Sequence, residues 1–189
     1  MNSEYSADPL EQFHTWYREA GSDRVALATA TTAGAPSARM VLLKAHDEQG
    51  FVVATSYESR KGRELAENPR AALLFYWPEL GRQVRVEGQV ERVDEAESDA
   101  IFAARPRGAQ LAAHASQQSR RLASRAVLEE RFAEADENYP GEVPRPPSWG
   151  GYRLVPERYE FWVHDDDRLH DRFLYERSGD GWQIERLSP

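Results

Sequence analysis

The stretch Gln83-Val-Arg-Val-Glu-Gly-Gln-Val-Glu-Arg-Val93 puts Val84, Val86 and Val90 on one face and Arg85, Glu87, Gln89 and Glu91 on the other. A period of two predicts a strand with one dry side and one wet side. Upstream, Val25–Thr31, a Gly34-Ala-Pro36 turn, Ser37–Leu43, a Gln49-Gly50 turn and Phe51–Thr55 read as a β-meander, with a further strand at Ala71–Tyr76. Asp8-Pro9 reads as an N-cap and a first-turn proline, opening a helix that aligns Phe13, Trp16, Tyr17 and Ala20 and ends at Gly21. A short helix, Arg60–Glu67, is stopped by Asn68-Pro69.

Downstream, Asp94 with Glu97 in capping-box position starts a helix that runs to about Ala104, and helical stretches follow at Ala109–Ala115 and Ser119–Asn138. Pro140 to Pro147 holds four prolines and reads as an extended connector, because the C-terminal stretch beyond it is too short to fold alone. Strands at Gly151–Val163, Leu169–Arg177 and Trp182–Leu187 complete the chain, the last two joined by Ser178-Gly-Asp-Gly181. Meander strands, then helices, then returning strands predict a mainly β fold with α: one domain over residues 1–189, a closed antiparallel barrel with peripheral helices.

At 189 residues and 40% hydrophobic, the chain is long enough to bury a core. It has no cysteine, which excludes disulfides, thiolate metal sites and a cysteine nucleophile. No basic start followed by an apolar run and no bilayer-length segment is present, so a soluble cytoplasmic protein is expected, without membrane association. The net charge of −8 speaks against a nucleic-acid partner, since such proteins rely on basic surfaces that displace counterions. Histidines at 14, 46, 114 and 164 are scattered, and Asp165-Asp-Asp167 reads as a turn, so no metal site is expected.

Against this acidic background the basic clusters are local, which favours a focused pocket for a small anion. Only two lysines occur, Lys44 and Lys61, closing Arg39-Met-Val-Leu-Leu-Lys44 and lying inside Ser59-Arg60-Lys61-Gly62. The second segment opens a helix, where free N–H groups and the positive dipole end suit a phosphate. Arg39 and Lys44 lie five apart and point to opposite faces of a strand unless a bulge intervenes; taken alone they also read as solvated strand ends. Gln83 and Gln118-Ser119 offer amides that could read a heterocycle's edge, or serve as ordinary surface and cap residues. Arg168-Leu-His170-Asp-Arg172 sets an imidazole between guanidiniums, an arrangement that favours its neutral form.

Arg39-Met-Val-Leu-Leu-Lys44, Ser59-Arg-Lys-Gly-Arg-Glu-Leu65, Arg82-Gln-Val84, Arg105-Pro-Arg107, Ser116-Gln-Gln-Ser119, Trp149-Gly-Gly151, Glu160-Phe-Trp162 and Arg168-Leu-His-Asp-Arg172 occur in the order seen in the pyridoxine/pyridoxamine 5′-phosphate oxidase family, which the chain resembles from Asp8 to Pro189. The resemblance implies an FMN-binding split β-barrel, antiparallel and Greek-key-like, forming a homodimer with FMN at the interface. It implies hydride transfer from a small-molecule substrate to the flavin and reoxidation by molecular oxygen with release of hydrogen peroxide.

By the same resemblance, Arg39, Met40, Val41, Leu42, Leu43, Lys44, Thr55, Arg60, Lys61, Gln83, Gln118, Ser119, Trp162 and Arg172 are expected to contact FMN. Lys44, Arg105, Arg168 and His170 are expected to contact substrate, with Arg168 and His170 as the catalytic pair. Ile101 and Ala109 stand in the substrate site where the family has a Tyr and a Ser hydroxyl, and Ala54 stands where a Tyr is frequent. These departures motivate an alternative, an oxidase of an unphosphorylated aromatic intermediate like the phenazine-biosynthesis flavin oxidases. A non-catalytic flavin- or pyridoxal-phosphate-binding protein is a third reading, since fold does not imply function.

Overall fold

The computed structural model describes residues 5–189. Its elements are α1 (Pro9–Ala20), β1 (Arg24–Ala30), β2 (Pro36–Asp47), β3 (Gly50–Ser56), α2 (Arg60–Glu67), β4 (Arg70–Trp77), β5 (Arg82–Arg92), α3 (Glu95–Ala103), α4 (Arg107–Ala115), α5 (Arg125–Asn138), β6 (Trp149–Val163), β7 (Asp171–Ser178) and β8 (Gly181–Arg186), with one 3₁₀ turn at Pro78–Leu80. The strands lie in the order β3-β2-β1-β4-β5-β6-β7-β8, and pairing of β3 with β6 closes the first six into a barrel. Every pairing is antiparallel. The run β3-β2-β1-β4 is a Greek key: three meander strands and a fourth that returns beside the first.

The split arises on β6. One edge follows β5 along its whole length, from Arg82 opposite Val163 to Arg92 opposite Tyr152. The other edge pairs with β3 through Trp149–Leu154 and with β7 through Arg158–Val163. Between these halves the register with β5 shifts at Glu87/Gly88, beside Pro156, where a proline is tolerated because the ladder is already interrupted. Gly88 is needed there: a Cβ on it would lie 1.9 Å from the Val155 carbonyl oxygen. Gly88→Ala is therefore expected to cost about 3 kcal/mol, read as a lowered urea midpoint at unchanged slope.

The core is aromatic. Phe13 of α1 meets Phe51 and Phe75 edge-on at centroid distances of 4.8 and 4.9 Å, and Trp16 meets Phe161 at 5.2 Å. The helix that carries them starts and stops as its sequence dictates, with the Asp8 carboxylate accepting from the Leu10 N–H and Gly21 in the left-handed conformation. A second apolar cluster, Phe102, Leu111, Ala135, Val143 and Trp149, binds α3, α4, α5 and the proline-rich connector together. Among the described residues no helix is long and apolar enough to cross a membrane.

Two boundaries differ from the sequence expectation in ways that matter for the site. The helix expected from Ser119 starts at Arg125, where Ser124 caps it by accepting from the Val127 N–H. Residues 119–124 are turn, bend and irregular chain without helix, so Gln118-Ser119 is not a helix start. Strand β2 runs on to Asp47 because Lys44 is an extra residue: Leu43 pairs with Val53 and Ala45 with Val52. The bulge falls at Lys44 itself, after a run whose exposure still alternates, so Arg39 turns inward to Glu64 while Lys44 faces outward.

Candidate active site

A cavity of about 640 Å³ opens between the face of β2 and β3 and the helices α2, α3 and α4. Of the residues expected in the site, Met40, Val41, Leu42, Lys44, Thr55, Lys61, Ile101, Arg105, Ala109 and Gln118 line it, joined by Ala54, Ala100, Ala104, Pro106 and Trp149. These positions are spread along the sequence from Met40 to Trp149. The fold brings them to one place because β2 and β3 are adjacent, α2 follows β3 directly, and α3 and α4 pack through Phe102 and Leu111 against Trp149 at the start of β6.

Three cations serve this cavity, and among the described residues none of them has a carboxylate partner. Lys61 is 8% exposed; its ammonium donates to the Thr55 hydroxyl at 3.0 Å and to the Gln118 side-chain oxygen at 2.9 Å. Thr55 in turn donates to Gln118 at 2.8 Å. Burial, with a contribution from the Arg39 charge, lowers the Lys61 pKa to about 8. Arg105 stacks over the Trp149 ring at 4.7 Å and lies 5.5 Å from the Phe102 ring; its Nη1 is buried with no hydrogen-bond partner, and burial lowers its pKa. Lys44, on the bulge, is exposed and lines the same cavity. A buried donor without an acceptor is costly in a finished structure, so Arg105 is fitted for an anionic guest.

At the start of α2, Ser59 accepts from the Gly62 N–H, while the N–H groups of Arg60 and Lys61 lie ahead of the helix's own ladder. Arg60 and Arg39 both reach Glu64, a carboxylate that sequence reading did not single out although it stands four residues after Arg60 on the same helix face. Burial would raise the Glu64 pKa, but bonds from Ser37, Thr29 and Arg60, together with the Arg60 charge, overcome it and hold the group at about 2. A depressed carboxylate stabilises the fold fully above its unfolded value, and that contribution disappears as pH falls toward 2.

The other expected residues form a separate row. Gln83 on β5 pairs with Trp162 on β6, which pairs with Arg172 on β7. His170 lies against Trp162, ring centroids 4.6 Å apart, and its Nδ1 accepts from the Asp165 N–H at 3.1 Å. Arg172 is tied to the buried Glu160 at 2.8–2.9 Å and donates to the Ser188 carbonyl. None of this row lines the cavity described above, so one chain alone does not unite the two sets. Leu43, within the first segment, faces the core at 4% exposure. Ser119 and Arg168 are the two described non-glycine residues with positive φ, at 67° and 66°. Such backbone is uncommon outside glycine, and here both instances fall on expected site residues.

A family model described as pyridoxamine 5′-phosphate oxidase matches residues 11–139, and one described as the pyridoxine 5′-phosphate oxidase C-terminal dimerisation region matches residues 149–189. A pyridoxine/pyridoxamine 5′-phosphate oxidase of Rubrobacter xylanophilus is 57% identical over 96% of this chain and 87% of its own. One of Burkholderia thailandensis is 53% identical over 99% and 92%. Among solved structures, PhzG from Burkholderia lata 383 in complex with tetrahydrophenazine-1-carboxylic acid superposes with a TM-score of 0.93 at 36% identity, covering 98% of this chain and 95% of that one. Barrel topology, cavity and comparisons agree, and the chain belongs to the pyridoxamine 5′-phosphate oxidase family of FMN-dependent oxidoreductases.

Proposed function

We propose that this protein oxidises pyridoxamine or pyridoxine 5′-phosphate to pyridoxal 5′-phosphate, with FMN as hydride acceptor and molecular oxygen, reduced to hydrogen peroxide, as final acceptor. The observation that carries this reading is a set of three cations around one cavity, Lys44, Lys61 and Arg105, that have no carboxylate partner among the described residues. The residues fit the cofactor: Lys61, the opening N–H groups of α2 and the terminal nitrogens of Arg60 suit its phosphate, and the apolar surface of Met40, Leu42 and Ala54 suits its ring. Bound FMN supplies the two-electron chemistry. Lys44 and Arg105 hold the substrate phosphate, and Ile101 and Ala109 exclude water beside it.

The row of Gln83, Trp162, Arg172, Arg168 and His170 is supplied by a second copy of the chain, docked through the dimerisation region. Gln83 and Arg172 then address the polar edge of the flavin, while Arg168 and His170 orient the substrate, His170 holding or taking a proton at the substrate's amine or hydroxyl. A steady-state assay with pyridoxamine 5′-phosphate under oxygen is expected to yield equimolar peroxide and aldehyde. Absence of turnover at full FMN occupancy overturns the reading.

The Lys61 pKa of about 8 sets a pH dependence. A bound phosphate favours the charged ammonium, so binding above pH 8 must take up a proton. FMN affinity is expected to be level from about pH 7 to 8, then to weaken up to about tenfold per unit, whereas riboflavin, which lacks the phosphate, shows no such slope. Parallel fluorescence titrations with the two flavins check this.

A second reading, oxidation of an unphosphorylated aromatic carboxylate, is favoured by Ile101 and Ala109, which leave the anion's surroundings apolar, and by the 36% identity to PhzG. The ratio of kcat/KM for pyridoxamine 5′-phosphate to that for a dihydrophenazine carboxylate separates the two. A ratio above one supports the first.

A further inference from the structure

Arg39 and Arg60 come from different elements, β2 and α2, and end on one carboxylate. Glu64 is 4% exposed. Its Oε2 accepts from the Thr29 hydroxyl at 2.5 Å, the Ser37 hydroxyl at 2.6 Å and Arg39 Nη2 at 3.3 Å, and its Oε1 accepts from Arg60 Nε at 2.8 Å. The two arginines are used differently. Arg39 Nη1 donates to the Leu27 carbonyl at 3.0 Å and the Thr29 hydroxyl at 2.7 Å, and its Nη2 donates to Ser37 and Glu64. Four terminal N–H hydrogens meet four acceptors, so the Arg39 fork is spent within the protein. Arg60 uses only Nε, its side chain is 58% exposed, and its two terminal nitrogens have no partner among the described residues.

A carboxylate beside an anion site would ordinarily repel the ligand. Here the charges compensate: Arg39 cancels Glu64, and Arg60 with Lys61 keeps two positive charges, matching a phosphate dianion. We infer that Glu64 is a positioning residue, anchored by β1 and β2, that holds the Arg60 guanidinium by Nε so its terminal nitrogens stand ready beside Lys61 for the flavin phosphate. The inference rests on the proposed FMN site at the start of α2. Glu64 touches neither flavin nor substrate; it acts through Arg60.

The test is a double-mutant cycle on flavin affinity, with FMN and riboflavin titrated against wild type, E64Q, R60Q and the double variant. E64Q keeps the side-chain volume and removes the charge. It is expected to weaken FMN by up to about tenfold, the most that loss of the Arg60 grip can cost, and to change riboflavin less than about twofold. R60Q is expected to weaken FMN about tenfold in wild type and no more than about twofold in the E64Q background. Equal weakening of both flavins in E64Q, or a full R60Q effect in that background, overturns the inference in favour of a structural role. If E64Q does not fold, S37A is read in the same cycle: an FMN-specific loss of about threefold that couples to R60Q supports the inference, and no coupling overturns it. A wild type that does not prefer FMN to riboflavin counts instead against the proposed phosphate site.

Discussion

Replacing Lys61 with methionine is expected to weaken FMN binding about 100-fold while leaving flavin-free protein as stable as wild type or more so. Methionine approximates the aliphatic stem and fits a site that is 8% exposed. In the free protein the charged ammonium is a burden: its pKa stands near 8 against 10.5 for a free lysine, which corresponds to about 3 kcal/mol at neutral pH. Removing the charge relieves that penalty. Thr55 and Gln118 still satisfy each other across 2.8 Å. What the proposed site loses is a charge-assisted bond to the flavin phosphate, of the order of 1.5–3 kcal/mol, in a pocket that screens it little. FMN affinity therefore falls and the melting temperature does not. A variant that melts early and binds FMN normally would place Lys61 in the core's support instead of the ligand site.

Arg105→Gln is expected to raise KM for pyridoxamine 5′-phosphate about 100-fold, with kcat within a few-fold and FMN affinity unchanged. Arg105 holds a buried Nη1 with no acceptor and stacks on Trp149 at 4.7 Å, so its position is set by aromatic packing before any ligand arrives. A phosphate remote from the bond being oxidised is held equally in ground and transition states, and removing such a grip shows in KM. Ile101 and Ala109 offer no hydroxyl to share the load, which makes the site more dependent on Arg105 and Lys44. A fall in kcat at constant KM would move Arg105 from substrate holding to the chemical step.

Much of the barrel was legible because its strands alternate or sit between strong turn signals. Val84 and Val86 are fully buried as their spacing requires, and Asp94 and Ser59 cap the helices they precede. Local rules lost where backbone geometry departs from them. The bulge at Lys44 and the register shift at Gly88 depend on which strand lies opposite, information carried by β3 and β6 and not by the strand itself. The helix expected from Ser119 fails because Ser124 offers a better cap, and Ser119 takes a positive φ that no helix contains.

In the site, chemistry-bearing residues could be named from motifs, but their mutual arrangement could not. Gln83, Trp162 and Arg172 become neighbours only through the pairing of β5, β6 and β7. Glu64 looks like one more helix-surface acid until β1 and β2 close over it.

We propose that this cavity, loaded with FMN, takes two electrons from pyridoxamine 5′-phosphate. The most direct measurement is anaerobic mixing of FMN-loaded protein with that substrate while the flavin's visible absorbance and the aldehyde product are followed together. Bleaching of the flavin with one aldehyde formed per flavin, and recovery of colour with peroxide on admitting oxygen, is the predicted result. A flavin that stays oxidised in the presence of saturating substrate would contradict the account.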